Sequence, residues 1–448
     1  MAHSVGRFGS TVLMKAMVAY RLRTRSSLAA VVLAVLFQSL AALSVKADPN
    51  EIWSRQLGSS GHDQGHAVTV DRCGNVYIGG SVTAALPGQQ HQGGVDSFVA
   101  KYDCSGELQW VKQWGDAADE RVWELEVAPD GCVWAAEAKG SWGDEKEIHL
   151  VRFDHCGREQ FRFQVATGSF QNIFVRDLHI DQCGCLYVVA TPKPYGTSFV
   201  GKYDRYGHVC WTRTISETAI DVSLMGIVTN QFGQLFVAGS RNSRPVLYEF
   251  DQSGREKNCS RMNELGYLTC LSVDVSGRPV AGGWGWAYET SNPSQSPDSR
   301  LSPFLEVISA EEGVVAQLIE VTPLLIRFNR DGTVDWSHLA AISALRHPLA
   351  IDVDQREGGL IAGFARTPES NDDGFAATFA VSTGVTWSNV PVETRNAYDG
   401  TTDGMGGLYV VGATEPDTSL NGQPTAGKND VYIIKYRRNV NSVNNSRE

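Results

Sequence analysis

Six side chains able to hold a cation or move a proton recur at matched places along the sequence. Glu124 and Glu126, Asp177 and His179, Asp352, and Asp399 each stand two or four positions before the first residue of a short turn-forming segment. Those segments are Ala128-Pro129-Asp130-Gly131, Asp181-Gln182-Cys183-Gly184, Asp354 to Gly358 and Asp403 to Gly406. Apolar residues interleave with them, as in Leu125 and Val127, Leu178 and Ile180, and Ile351 and Val353. An apolar residue at every second position is the period of a strand, so the acids and the imidazole share the opposite face. Converging carboxylates supply the oxygen ligands of a divalent cation, and a carboxylate beside an imidazole makes an acid–base pair. The competing expectation is a polar, water-filled channel in which these groups are solvated or paired with arginine.

Other chemistry leaves less trace. There is no G-x-S-x-G, no H-E-x-x-H and no phosphate-binding glycine loop. Seven of the nine cysteines, all but Cys259 and Cys270, fall in or near turns. Cys73 with Cys104, and Cys132 with Cys156, occupy neighbouring hairpin turns, so each pair is expected to form a disulfide in an oxidising compartment. Trp284, Trp286 and Tyr288 lead into a Ser- and Pro-rich insertion. Together with Trp142 they form a candidate stacking platform for a sugar or peptide. Alternatively, Trp284 and Trp286 continue a strand and pack between layers.

The elements that must position these residues repeat. A hairpin written KYDCSGELQW at 101–110 returns as RFDHCGREQF at 152–161, KYDRYGHVCW at 202–211 and RFNRDGTVDW at 327–336. A second motif, a strand, an Asp-x-x-Gly turn and a strand with a central aromatic, alternates with it from Val70-Asp71-Arg72-Cys73-Gly74 onward. The two motifs together give four strands per unit and seven units. Sheets of this size bury their faces only against one another, so the expected fold is all-β: a seven-bladed β-propeller of four-stranded blades over 48–438. The last unit stops at Lys435-Tyr436, while 51–58 (EIWSRQLG) matches the strand after the first hairpin. The N-terminal strand is therefore expected to supply the outer strand of the last blade, closing the ring.

The pattern W-x-x-Q-x-G, then V-D-x-x-G-N-V-Y, then D-x-F-V-x-K-Y-D-x-x-G-x-x-W resembles the seven-bladed β-propeller repeat (SBBP) family of exported bacterial proteins. Trp53 to Gly58, Val70 to Gly80 and Asp96 to Trp110 carry the likeness. The resemblance implies a propeller and export, and no catalytic signature.

Residues 1–47 differ from the rest. They hold six basic residues and no acid, with an apolar run from Leu28 to Leu43 and a Val45-Lys46-Ala47 end. That is the build of a secretory signal peptide cut before Asp48. Its removal leaves 33 basic against 50 acidic residues, a net charge of −17. Such a surface disfavours nucleic acid and anionic lipid. The polar segment 439–448 is expected to be a disordered tail. The sequence points to a monomeric, exported, non-enzymatic binding or scaffolding module of the periplasm, cell surface or extracellular space. Its partner would be a protein or carbohydrate; it would need no cofactor beyond a structural divalent cation and have no membrane span after signal removal. Two other readings stand beside it: a propeller lyase or glycan-acting hydrolase with acids at the channel mouth, and a structural surface component.

Overall fold

The computed structural model describes residues 50–165, 172–193, 196–216, 220–263, 265–290, 316–339, 345–354, 358–366, 373–382, 388–390, 396–404, 406–414, 419–420 and 423–437. The expected signal segment 1–47 and the tail 439–448 lie outside them. Seven four-stranded antiparallel sheets make the ring. Their innermost strands are Asp63–Val70, Glu120–Val127, Asn172–Ile180, Val222–Thr229, Gly266–Val273, Leu345–Val353 and Ala397–Thr402, for blades one to seven. Blade seven takes its outermost strand from the other end of the chain: Glu51–Leu57 pairs antiparallel with Val431–Arg437, from Glu51 opposite Tyr436 to Leu57 opposite Val431. The closure expected from the matching sequence ends is therefore present. It leaves no sheet edge open between first and last blade.

The core is divided among the blade interfaces. Ala67, Tyr77 and Val99 of blade one meet Val122, Val133 and Phe153 of blade two in one cluster. Val68, Ile78 and Phe98 of blade one meet Tyr409, Val411 and Ile433 of blade seven in another. A central strand thus buries both faces, which is why Val76–Val82 is buried throughout while the outermost strand Leu108–Trp114 is not.

Each turn is held by its first side chain. Asp71 Oδ1 accepts the N–H groups of Cys73 and Asn75, both at 2.9 Å. Asp181 does the same for Cys183 and Cys185. Gly74 closes the first of these turns at φ +80°, a region open to glycine at no steric cost.

The residues that made the repeat legible join one blade to the next. Trp110, on the outer strand of blade one, donates its Nε1–H to the His155 carbonyl in the blade-two hairpin, at 3.0 Å. Trp53 does so to Cys104, Trp211 to Gln252 and Trp336 to Val381. Each of the first three rings lies flat against a turn glycine. A Cβ on Gly157 would come within 2.7 Å of the Trp110 ring, and one on Gly254 within 2.5 Å of Trp211. The Lys and Tyr positions have matching roles: Lys101 lies 4.9 Å over the Tyr77 ring, and the Tyr77 hydroxyl reaches Asp71. Replacing Trp211 by Ala should cost about 3 kcal/mol in urea unfolding, whereas Trp211→Phe, which loses the hydrogen bond but keeps a ring, should cost about 1 kcal/mol. Equal losses for both would refute the packing role.

Candidate functional site

Every innermost strand carries one irregularity, and it decides what lines the central channel. The register against the second strand shifts between Gly65 and Ala67, Val122 and Glu124, Val175 and Asp177, Leu224 and Gly226, Leu268 and Cys270, Pro348 and Ala350, and Ala397 and Asp399. A bulge inserts one unpaired residue and re-aims its side chain. The residues so released are His66, Trp123, Arg176, Met225, Thr269, Leu349 and Tyr398. Unbroken alternation would have placed them in the core. Instead, all but Trp123 line a cavity of about 100 Å³ together with Glu124, Asp177, Cys270 and Asp399. The strands start beside the loops that join second and third strands, so this cavity opens on the loop face.

The acids expected to converge on a cation are used otherwise. Asp177 Oδ2 accepts the N–H of Ile227 in blade four at 2.7 Å, and Oδ1 accepts Leu178 N–H. Asp399 Oδ2 accepts the N–H of Val68 in blade one at 2.7 Å, so one carboxylate ties last blade to first. Asp352 Oδ2 accepts Thr402 N–H and the Thr401 hydroxyl in blade seven. His179 Nε2 lies 2.8 Å from Thr229 Oγ1, and its Nδ1 3.5 Å from Glu126. These five residues are inter-blade ties rather than ligands. Among the described residues no three His, Cys, Asp or Glu side chains come together in a way that could hold a metal ion. That corrects the cation-site expectation. Backbone N–H groups of the next blade occupy oxygens of Asp177, Asp352 and Asp399.

Glu124 is the exception. The N–H it would meet in blade three, that of Leu178, is already taken by Asp177. Glu124 has no hydrogen bond among the described residues. Burial first, then Asp177, Asp399 and Glu126, pushes its carboxyl well above the usual range. Burial also raises Asp177, and Asp399 to about 7. His66 is 5% exposed, and its burial and the nearby Arg121 lower it to about 3, leaving a neutral imidazole. Its Nε2 meets Ser81 Oγ at 3.1 Å, and its Nδ1 has no partner among the described residues.

From this cavity a row of rings leads outward. Tyr398 stands edge-on to His66 at 5.4 Å, Trp123 lies tilted over His66 at 4.5 Å, and Trp142 packs on Trp123 at 5.4 Å. Trp142 caps a blade-two hairpin, is 63% exposed, and carries the Arg121 guanidinium 5.6 Å over its ring. Of the platform foreseen from Trp142, Trp284, Trp286 and Tyr288, Trp142 and Trp284 are not brought together. Trp284 sits three blades away, half-buried and stacked on Tyr267 at 4.6 Å, its cross-strand partner. Trp286 and Tyr288 continue the same strand, their side chains outside the described residues. Trp142 instead joins Trp123, His66 and Tyr398, which the sequence reading missed. A signal was present: the position five before each turn should be apolar, yet it holds His, Trp, Arg and Thr as well as Met, Leu and Tyr.

All nine cysteines are free thiols. The expected Cys73–Cys104 and Cys132–Cys156 bridges are not formed; Asx hydrogen bonds to Asp71, Asp130 and Asp154 hold three of these turns instead. Burial pushes Cys270 up to about 12. Alkylation of the folded chain should therefore label exposed Cys73, Cys104 and Cys156 and spare Cys270 until unfolding. Mass mapping that finds Cys270 labelled as fast as Cys104 would contradict this.

The buried carboxyls also fix a pH response. Asp399, near 7 when folded and near 4 when unfolded, takes up a proton on folding between those values. Stability therefore falls as pH rises through that window, by about 1.4 kcal/mol per unit for each such group. Asp63, raised to about 6, Asp177 and Glu124 act the same way. His66 opposes them below about 6.5. The carboxyls outnumber it, so Tm should be higher at pH 5 than at pH 8, with Asp399→Asn flattening the difference. A Tm that rises toward pH 8 would count against the buried acids.

Residues 52–82 match the family model for the beta-propeller repeat, SBBP. No curated protein sequence matches the chain. Among solved structures, streptogramin B lyase is similar at a TM-score of 0.50 and 11% identity, over 86% of this chain and 98% of that one. The WD40 beta-propeller domain of Doa1 is similar at 0.52 and 9%, over 88% and 98%. At these identities the likeness is one of fold. The chain is a seven-bladed β-propeller carrying the SBBP beta-propeller repeat.

Proposed function

We propose that the protein is an exported, non-enzymatic binding module whose loop face, around the channel mouth of blades one, two and seven, receives a partner. The observation that carries this is the aromatic row Trp142–Trp123–His66–Tyr398, exposed at one end and entering a cavity at the other. A tryptophan more than half exposed on a rigid hairpin costs apolar hydration unless something covers it, and rigid aromatics are the usual anchors of binding surfaces. The argument against catalysis is that Asp177, Asp352 and Asp399 spend their oxygens on backbone N–H groups. The enzymatic alternative has one observation in its favour: a protonated Glu124 shares a cavity with a neutral His66. The charge balance of 39 basic against 50 acidic residues favours a basic partner surface over nucleic acid.

The test is retention of envelope proteins and glycans by the immobilised full chain and by Trp142→Ala. A species held by the first and lost, at least tenfold, by the second supports the binding face. Equal retention by both removes it.

A further inference from the structure

We propose that the channel mouth is a receptor for an organic cation: an alkylammonium or guanidinium head that enters beside Glu124 and His66 while its stem lies along the aromatic row. This rests on the binding-module reading and names its ligand chemistry.

Two independent observations point to one position. Glu124 is a carboxyl with no hydrogen bond among the described residues, whereas Glu126, Asp177, Asp352 and Asp399 are each tied to a neighbouring blade. His66 is a nitrogen acceptor with nothing to accept. Its side chain is more than nine-tenths buried, and its Nδ1 is unpartnered among the described residues although the ring lines the cavity. In the tautomer that gives Nε2–H to Ser81, Nδ1 keeps its lone pair. A buried polar atom left without a partner costs roughly 1–3 kcal/mol, and two beside one cavity are relieved together by a single donor group.

That donor is positive. Burial and mutual repulsion oppose the ionisation of Glu124, Asp177 and Asp399, and a cation among them takes the place of a proton; Arg176, the guanidinium among the described lining residues, is drawn over Phe174 at 5.4 Å. The rings of Trp123 and Tyr398 flank His66, and aromatic faces attract a cation that has shed its water. The cavity of about 100 Å³ has room for an ammonium or guanidinium head. Trp123 and Trp142 then cover the hydrocarbon stem. The net charge of −11 draws such a group in from a distance. A free amine and a lysine or arginine side chain of a protein partner present the same chemistry.

The experiment is calorimetric titration of the full chain with n-butylammonium, with uncharged 1-butanol, and with blocked Gly-Lys-Gly and Gly-norleucine-Gly peptides. Butylammonium and the lysine peptide should bind and their uncharged counterparts should not. Glu124→Gln should weaken binding at least tenfold, and Trp142→Ala, at an exposed tip that tolerates truncation, severalfold. A lysine peptide that binds more tightly than butylammonium assigns the site to a protein side chain; equal affinities assign it to free amines. The proposal is overturned if the uncharged compounds bind as well as the charged ones, or if both variants bind butylammonium as the unaltered chain does. If butylammonium does not bind while Trp142→Ala still loses its envelope partner, the cationic ligand falls and the binding face stands.

Discussion

An indole pressed on the hairpin glycine of the next blade is the contact on which the ring depends. A four-stranded sheet with both faces apolar has no stable existence alone, and hydrophobic burial by itself does not say where the neighbour must sit. The Trp110 ring does: it meets Gly157 only where the glycine has no Cβ, and its N–H finds the His155 carbonyl only in one register. Repeated by Trp53 and Trp211, the contact fixes the angle at three of the seven blade interfaces. Trp53 is the informative case, because it belongs to the first strand of the chain and serves the last blade.

Inside the ring a second set of ties runs at smaller radius. The outer clasps are neutral and well packed. The inner ones place carboxylates where water is scarce, which moves Asp399 far from its ordinary ionisation range. The same geometry that closes the ring thus stores charge at its centre. One carboxyl does not participate: Glu124 stands at the matching place and finds its N–H already engaged by Asp177. The site grows out of that mismatch.

How much of this was legible follows from what each signal depends on. The blade count and the closure could be read because Trp, Gly, Tyr and Lys recur for packing reasons, and packing has a period. Alternation put Asp177, Asp352 and Asp399 on one strand face, yet Ala67 and Cys270, which share that face, pack into core clusters between blades. Beyond the bulge it failed. A bulge is a backbone event with no required residue, so His66 and Tyr398 read as strand-interior positions. Trp142 could be singled out as an exposed aromatic, yet its neighbours could not be known. Trp123 stands in the same strand as Glu124, but its partner His66 comes from the blade before.

The seven bulges also separate two demands that a strand normally imposes together. Elsewhere in the innermost strands a change of side chain disturbs either a core cluster or a tie to the next blade. At the bulged positions the side chain has left the ladder, and six of the seven line the cavity. They still make contacts of their own: Thr269 donates to the Pro348 carbonyl of blade six, and Trp123 packs against a core cluster. His, Trp, Arg, Met, Thr, Leu and Tyr stand at one structural address in seven blades because the ladder no longer dictates the residue there. The mouth of the channel is in effect a seven-character label written on a fixed frame, open to rewriting while the frame stays as it is.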